Sequence, residues 1–87
     1  MNEIRTVNDF YAACKNFETA DLGGFAKLVA LAPSMINVSK GDLAKECECA
    51  ETTVVRWMEG MARPHPMIQT QVVDFLVKWC EEIIHGI

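Results

Sequence analysis

Thr52 and Arg56 stand four residues apart in Glu51-Thr52-Thr53-Val54-Val55-Arg56-Trp57, with Lys40 upstream and Arg63 and His65 downstream. An arginine can donate two parallel hydrogen bonds to the acceptors of guanine, and short hydroxyls can meet either kind of base edge. Lys and Arg hold phosphates. This is the chemistry of recognition. Catalysis has no comparable foothold: the chain has no phosphate-cradling Gly loop and no Ser/His/Asp set around an elbow, and its two His fall in a loop and at a helix end. The expectation is a protein that is not an enzyme and needs no cofactor.

Residues 39–60 must position these side chains, and they read as two short helices about a tight turn. Ser39 can cap the first helix, with Asp42 three residues on to complete a capping box. Val38 before the cap and Leu43 at the fourth helical position are spaced as a hydrophobic staple. Leu43, Ala44 and Cys47 make one apolar face. On the second helix Val54, Trp57 and Met58 should pack inward, leaving Glu51, Thr52, Val55, Arg56 and Glu59 outside. Gly60 stands where a left-handed residue would end the helix, and Pro64 prevents its renewal. A first helix crossing the phosphate backbone and a second lying in the major groove is the arrangement of a DNA-binding helix-turn-helix.

Leu43-Ala44-Lys45, then Thr53-Val54-Val55-Arg56-Trp57, Gly60 and Arg63-Pro64 follow one another without a gap. This ordered set resembles the lambda-repressor/Cro (XRE-type) helix-turn-helix family, closely from about residue 40 to Pro64 and more loosely from Asp21 onward. The resemblance implies a five-helix lambda-repressor-like domain, all-α, with a long C-terminal helix. It also implies a double-stranded DNA operator as partner and a small transcription regulator of phage or mobile-element type. On that reading Lys40 and Arg63 hold phosphates and Glu51, Thr52 and Arg56 face base edges, with Thr53 beside them. His65 lies near the backbone or minor groove. Glu48 stands where the family's turn usually has Gly, so a positive φ must be met by Glu or avoided. Ala50 stands where the family usually places a Ser or Thr cap.

Charge pulls the other way. The chain carries 8 basic and 12 acidic residues, a net charge of −4. Within residues 39–65, Lys40, Lys45, Arg56 and Arg63 are set against Asp42, Glu46, Glu48, Glu51 and Glu59. Non-specific DNA affinity comes mainly from basic groups displacing counterions, so little of it is expected. An acidic protein-interaction module, an adaptor or inhibitor that keeps this fold without binding DNA, is therefore the alternative. Glu51 and the apolar Val55 and Met61 on the same side favour it.

Eighty-seven residues make a single domain over 1–87. An extra N-terminal helix is expected within 1–18, near 7–17, capped by Thr6 with Asp9. A second should start at Thr19 or Asp21 and be ended by Pro33, with Leu22, Phe25, Ala26, Leu28, Val29 and Ala32 as core. The last helix should run from Pro66 to His85, with Gly86 as its stop. No apolar run approaches the ~20 residues that cross a bilayer. The N-terminus lacks the apolar core of a signal peptide. A cytoplasmic protein is expected.

The last helix carries two apolar stripes: Val72, Leu76, Trp79 and Ile83, and beside them Val73, Val77, Cys80, Ile84 and Ile87. Two stripes exceed the width a small core needs. Either the N-terminal helix covers the second, or Val73, Val77, Cys80, Ile84 and Ile87 form the interface of a homodimer. Such a dimer would set two recognition helices about 34 Å apart. The four cysteines fit no usual zinc spacing, and Cys47 and Cys49 fall where the resembling family has core Leu and Val; no metal is expected.

Overall fold

A computed structural model of the chain describes residues 4–21 and 23–86. Leu22 and Ile87, assigned above to the core and to a dimer face, lie outside the described residues. The architecture is all-α, with α1 over Val7–Lys15, α2 over Gly24–Ile36, α3 over Lys40–Cys47, α4 over Glu51–Met58 and α5 over Pro66–His85. None of the described helices is long and apolar enough to cross a membrane.

Local chemistry starts most of these helices. Thr6 Oγ1 accepts from the Asp9 N–H at 3.1 Å while Asp9 Oδ2 accepts from the Thr6 N–H at 3.1 Å, a reciprocal capping box. At α5, Pro66 takes the first turn, where its missing N–H costs nothing. Gly86 ends α5 at φ 70°.

Helix α2 departs from expectation at both ends. It begins at Gly24, after Asp21 Oδ1 has accepted from the N–H groups of Gly23 and Gly24 at 3.2 and 3.1 Å. Asp21 thus caps the helix from outside it. A Cβ on Gly24 would stand 2.6 Å from Asp21 Oδ2, so a larger residue there would displace the Asp21 carboxylate from this cap. At the other end Pro33 does not terminate the helix, which continues through Ile36 to a left-handed Asn37 at φ 59°. Proline removes one donor and crowds one carbonyl, but Ile36 and Val38 are 2% and 0% exposed. Their burial holds the added turn against that local cost.

One core unites all five helices. Phe10 and Cys14 of α1, Leu28, Val29 and Ala32 of α2, Leu43 of α3, Val54 and Trp57 of α4, and Val72, Leu76 and Cys80 of α5 are buried together. Each large aliphatic side chain so buried contributes about 1.5–3 kcal/mol. Phe25 bridges the layers, with ring centroids 6.2 Å from Phe17 and 5.7 Å from Trp57, the latter edge to face. Ala26, Met58 and Cys47 are only partly buried at the core's margin.

The most extensive helix pair is α1 with α5, and it decides the fate of the second stripe. Val73 and Cys80 are 5% and 0% exposed within the monomer, and Val77 is half-buried. Val73 and Cys80 are thus core residues here, not free for a partner. Tyr11 Oη donates to Glu81 Oε2 at 2.9 Å and strengthens the same α1–α5 seam. Nine residues of α1 cover only about 13 Å of a helix some 30 Å long. The last turn of α5 consequently leaves Ile83 and Ile84 at 45% and 37% exposure.

Candidate nucleic-acid interface

Helix α3 is placed by its own ends. Ser39 Oγ accepts from the Asp42 N–H at 3.1 Å, and Asp42 Oδ2 from the Ser39 N–H at 2.9 Å. Val38 and Leu43, the two halves of the expected staple, are both fully buried. At the C-terminal end Glu48 adopts φ 53°, so the turn is made with a non-glycine residue in the left-handed region. The Cys49 N–H donates to the Ala44 carbonyl at 2.9 Å and the Glu48 N–H to the Lys45 carbonyl at 3.3 Å. That pair of bonds closes a Schellman motif. The left-handed Glu costs about 1–2 kcal/mol relative to an unstrained residue.

Helix α4 follows with an uncapped start, for Ala50 offers no side-chain acceptor to the first-turn N–H groups. It is held instead by burial, with Val54 and Trp57 0% and 5% exposed. Its opposite face leaves Glu51, Thr52, Arg56 and Glu59 exposed, with Thr53 and Val55 half-buried. A second Schellman motif closes α4: the Met61 N–H donates to the Arg56 carbonyl at 2.9 Å and the Gly60 N–H to the Trp57 carbonyl at 3.1 Å, with Gly60 at φ 73°. The Ala62 N–H also reaches the Arg56 carbonyl, at 3.3 Å. The segment that carries Arg63 and His65 is in this way tied to the residue whose guanidinium stands on the exposed face.

Each candidate side chain has a definite place. Lys40 is the exposed first residue of α3, and Arg63 is exposed in the loop between α4 and α5. His65 is exposed but engaged, its Nδ1 accepting from the Met67 N–H at 3.1 Å as the cap of α5. Glu51 is exposed at the start of α4, and its Oε2 lies 3.4 Å from where a Cβ on Gly41 would stand, near the first turn of α3. The structure therefore brings Glu51 together with the start of α3, and Arg63 and His65 together with the end of α4.

Sequence reading passed over Gln69. It is 1% exposed, and its Nε2 donates to the Pro64 carbonyl at 2.8 Å, across the loop that bears Arg63. Its Oε1 has no hydrogen-bond partner among the described residues. A buried, unpaired carbonyl of this kind costs about 1–3 kcal/mol. The signal was present in the spacing, since Gln69 precedes Val72 by three and Val73 by four and so occupies a core position of α5.

The thiols do not add chemistry to this face. Burial pushes Cys14 up to about 12 and Cys47 and Cys80 each up to about 11, so all three stay protonated near neutral pH. Among the described residues no group of three or more His, Cys, Asp or Glu is arranged to hold a metal ion. An open groove of about 640 Å³ lies between α1 and α2, lined by Arg5, Asp9, Asn16, Asp21 and Lys27 among others. It is remote in sequence from the α3–α4 side chains. Compared with protein-family models, curated proteins and solved structures, the chain matches none.

Proposed function

We propose that this chain is a sequence-specific DNA-binding transcription regulator of the lambda-repressor/Cro type, belonging to a phage or other mobile element. The observation that carries the reading is the α3–turn–α4 unit. Its second helix buries Val54 and Trp57 and exposes Thr52 and Arg56. The loop after it is tied back to the Arg56 carbonyl. In this reading α4 enters the major groove, Arg56 and Thr52 read base edges, and Lys40 and Arg63 hold phosphates. The protein works as a homodimer whose contact includes Ile83 and Ile84 at the end of α5.

The test is selection of a binding duplex from random sequence, followed by a salt titration of the selected site. Two phosphate contacts per protomer imply a slope of log K against log salt of about −2 per protomer. Failure to enrich any sequence at low salt would sink the proposal.

A second reading is favoured by specific observations: net charge −4, Met61 70% exposed beside the α4 face, and the acidic pair Glu51 and Glu59 on it. An acidic surface with an apolar spot suits a protein partner better than a polyanion. In that case the same face binds a protein, and the selection returns no sequence.

A further inference from the structure

Gln69 is the polar side chain in the buried set of the described residues, on the first turns of α5 and beneath the loop from Gly60 to His65. Most of that loop's anchorage is local. The Met61 and Ala62 N–H groups end on the Arg56 carbonyl, and His65 Nδ1 accepts from the Met67 N–H. Between those two anchors lie Arg63 and Pro64. Pro64 has no N–H of its own, so its backbone can be held only through its carbonyl. The Gln69 Nε2 takes that carbonyl at 2.8 Å.

An apolar side chain of similar length could fill the same core position without leaving an amide oxygen unpaired. What the amide supplies, and a Met or Leu would not, is this one donor to Pro64. We infer that Gln69 is a positioning residue for the nucleic-acid face: it clamps the Pro64 carbonyl and so fixes Arg63 and His65 at the end of α4. The inference rests on the DNA-binding reading for its consequence, and on the loop's geometry for its mechanism. With the clamp gone, the Pro64 carbonyl turns to water and the Arg63 backbone is tethered on one side only.

The experiment compares wild type with Gln69→Met, which keeps the volume and removes the donor. Helicity and cooperative melting are expected to persist, while ¹⁵N order parameters at Ala62, Arg63 and His65 fall from the rigid value of about 0.85 to below about 0.6. On the duplex obtained by selection, Arg63→Ala in the wild-type background should reduce the salt slope by about 1. The same change in the Gln69→Met background should leave the slope nearly unaltered, because Arg63 is already lost as a contact. General destabilisation would not produce that non-additivity in two fully folded proteins. If Gln69→Met does not fold, the wild type itself decides: the Gln69 side-chain amide protons must be protected from exchange. Unprotected amide protons, or a loop that stays rigid in Gln69→Met, would overturn the inference. A wild type that binds no duplex removes the DNA reading alone, since the order parameters still decide whether Gln69 sets the loop.

Discussion

The carboxylate of Glu51, the first residue of α4, lies against Gly41 in the first turn of α3, with Oε2 3.4 Å from the position a Cβ would take. Glu51 is also the acid in the first turn of α4 itself. The uncapped N-terminus of α4 favours a negative charge there by about 0.3–1 kcal/mol. On the DNA-binding reading the same charge opposes a phosphate near that spot, so stability and affinity would pull on Glu51 in opposite directions.

Glu51→Gln should accordingly lower stability slightly, by about 0.3–1 kcal/mol, and raise affinity for arbitrary duplex at low salt. Thermal melting and a fluorescence titration with an unselected duplex measure the two effects. Unchanged DNA affinity would place the Glu51 carboxylate outside the reach of the backbone.

The helix ends around the turn offer two stabilising changes. Glu48→Gly relieves a left-handed non-glycine residue, and after the greater chain entropy of glycine is allowed for, about 0.5–1 kcal/mol should remain. Ala50→Ser supplies the missing acceptor at the start of α4 and should add about 1 kcal/mol. Each kcal/mol corresponds to a rise of about 4–8 °C in Tm for a domain of this size. A fall in Tm for Glu48→Gly would mean that the Glu48 side chain has a partner of its own.

Arg56→Ala should cost about 1–3 kcal/mol on the selected duplex and relax the preference at one base pair. Equal loss on every sequence would make Arg56 a phosphate contact. No loss on any duplex favours the protein-partner reading.

The exposed end of α5 gives the dimer its test. Ile84→Asp should yield a folded monomer by sedimentation, with weaker operator binding because half-site contacts no longer add. Ile84 is 37% exposed, so the substitution does not open the core. Wild type that stays monomeric at micromolar concentration and above would remove the dimer.

Acid should weaken the start of α1. The backbone N–H groups of Arg5 and then Thr6 hold the Asp9 carboxyl below its ordinary value of 3.8. A group lowered in the folded state adds stability above its unfolded value and loses it as pH falls through the folded one. The loss therefore falls below pH 3.8. In Asp9→Asn the decline of Tm with acid should be shallower in that window. An identical decline in both proteins would assign the acid sensitivity to other carboxylates.

The signals that operate over one or two turns were legible in the residues themselves. The capping boxes at Thr6 and Ser39, the start at Pro66, and the stops at Gly60 and Gly86 depend on neighbours a few positions away. The apolar faces of α3 and α4 followed from their spacing, and with them the exposed side of α4 that carries Thr52 and Arg56. Where the chain's path depends on what packs against it, sequence alone did not decide. Pro33 reads locally as a stop, yet burial of Ile36 and Val38 carries α2 past it. The second stripe of α5 reads equally as core or interface, and only the placement of α1 made Val73 and Cys80 core. The spacing of Gln69 to Val72 and Val73 marks a core position, but only the path of the loop brings the Pro64 carbonyl to its amide. The physical reason is that a turn or cap is settled by its own hydrogen bonds, whereas burial at Ile36 and along the second stripe of α5 is settled by the segments that arrive to cover them.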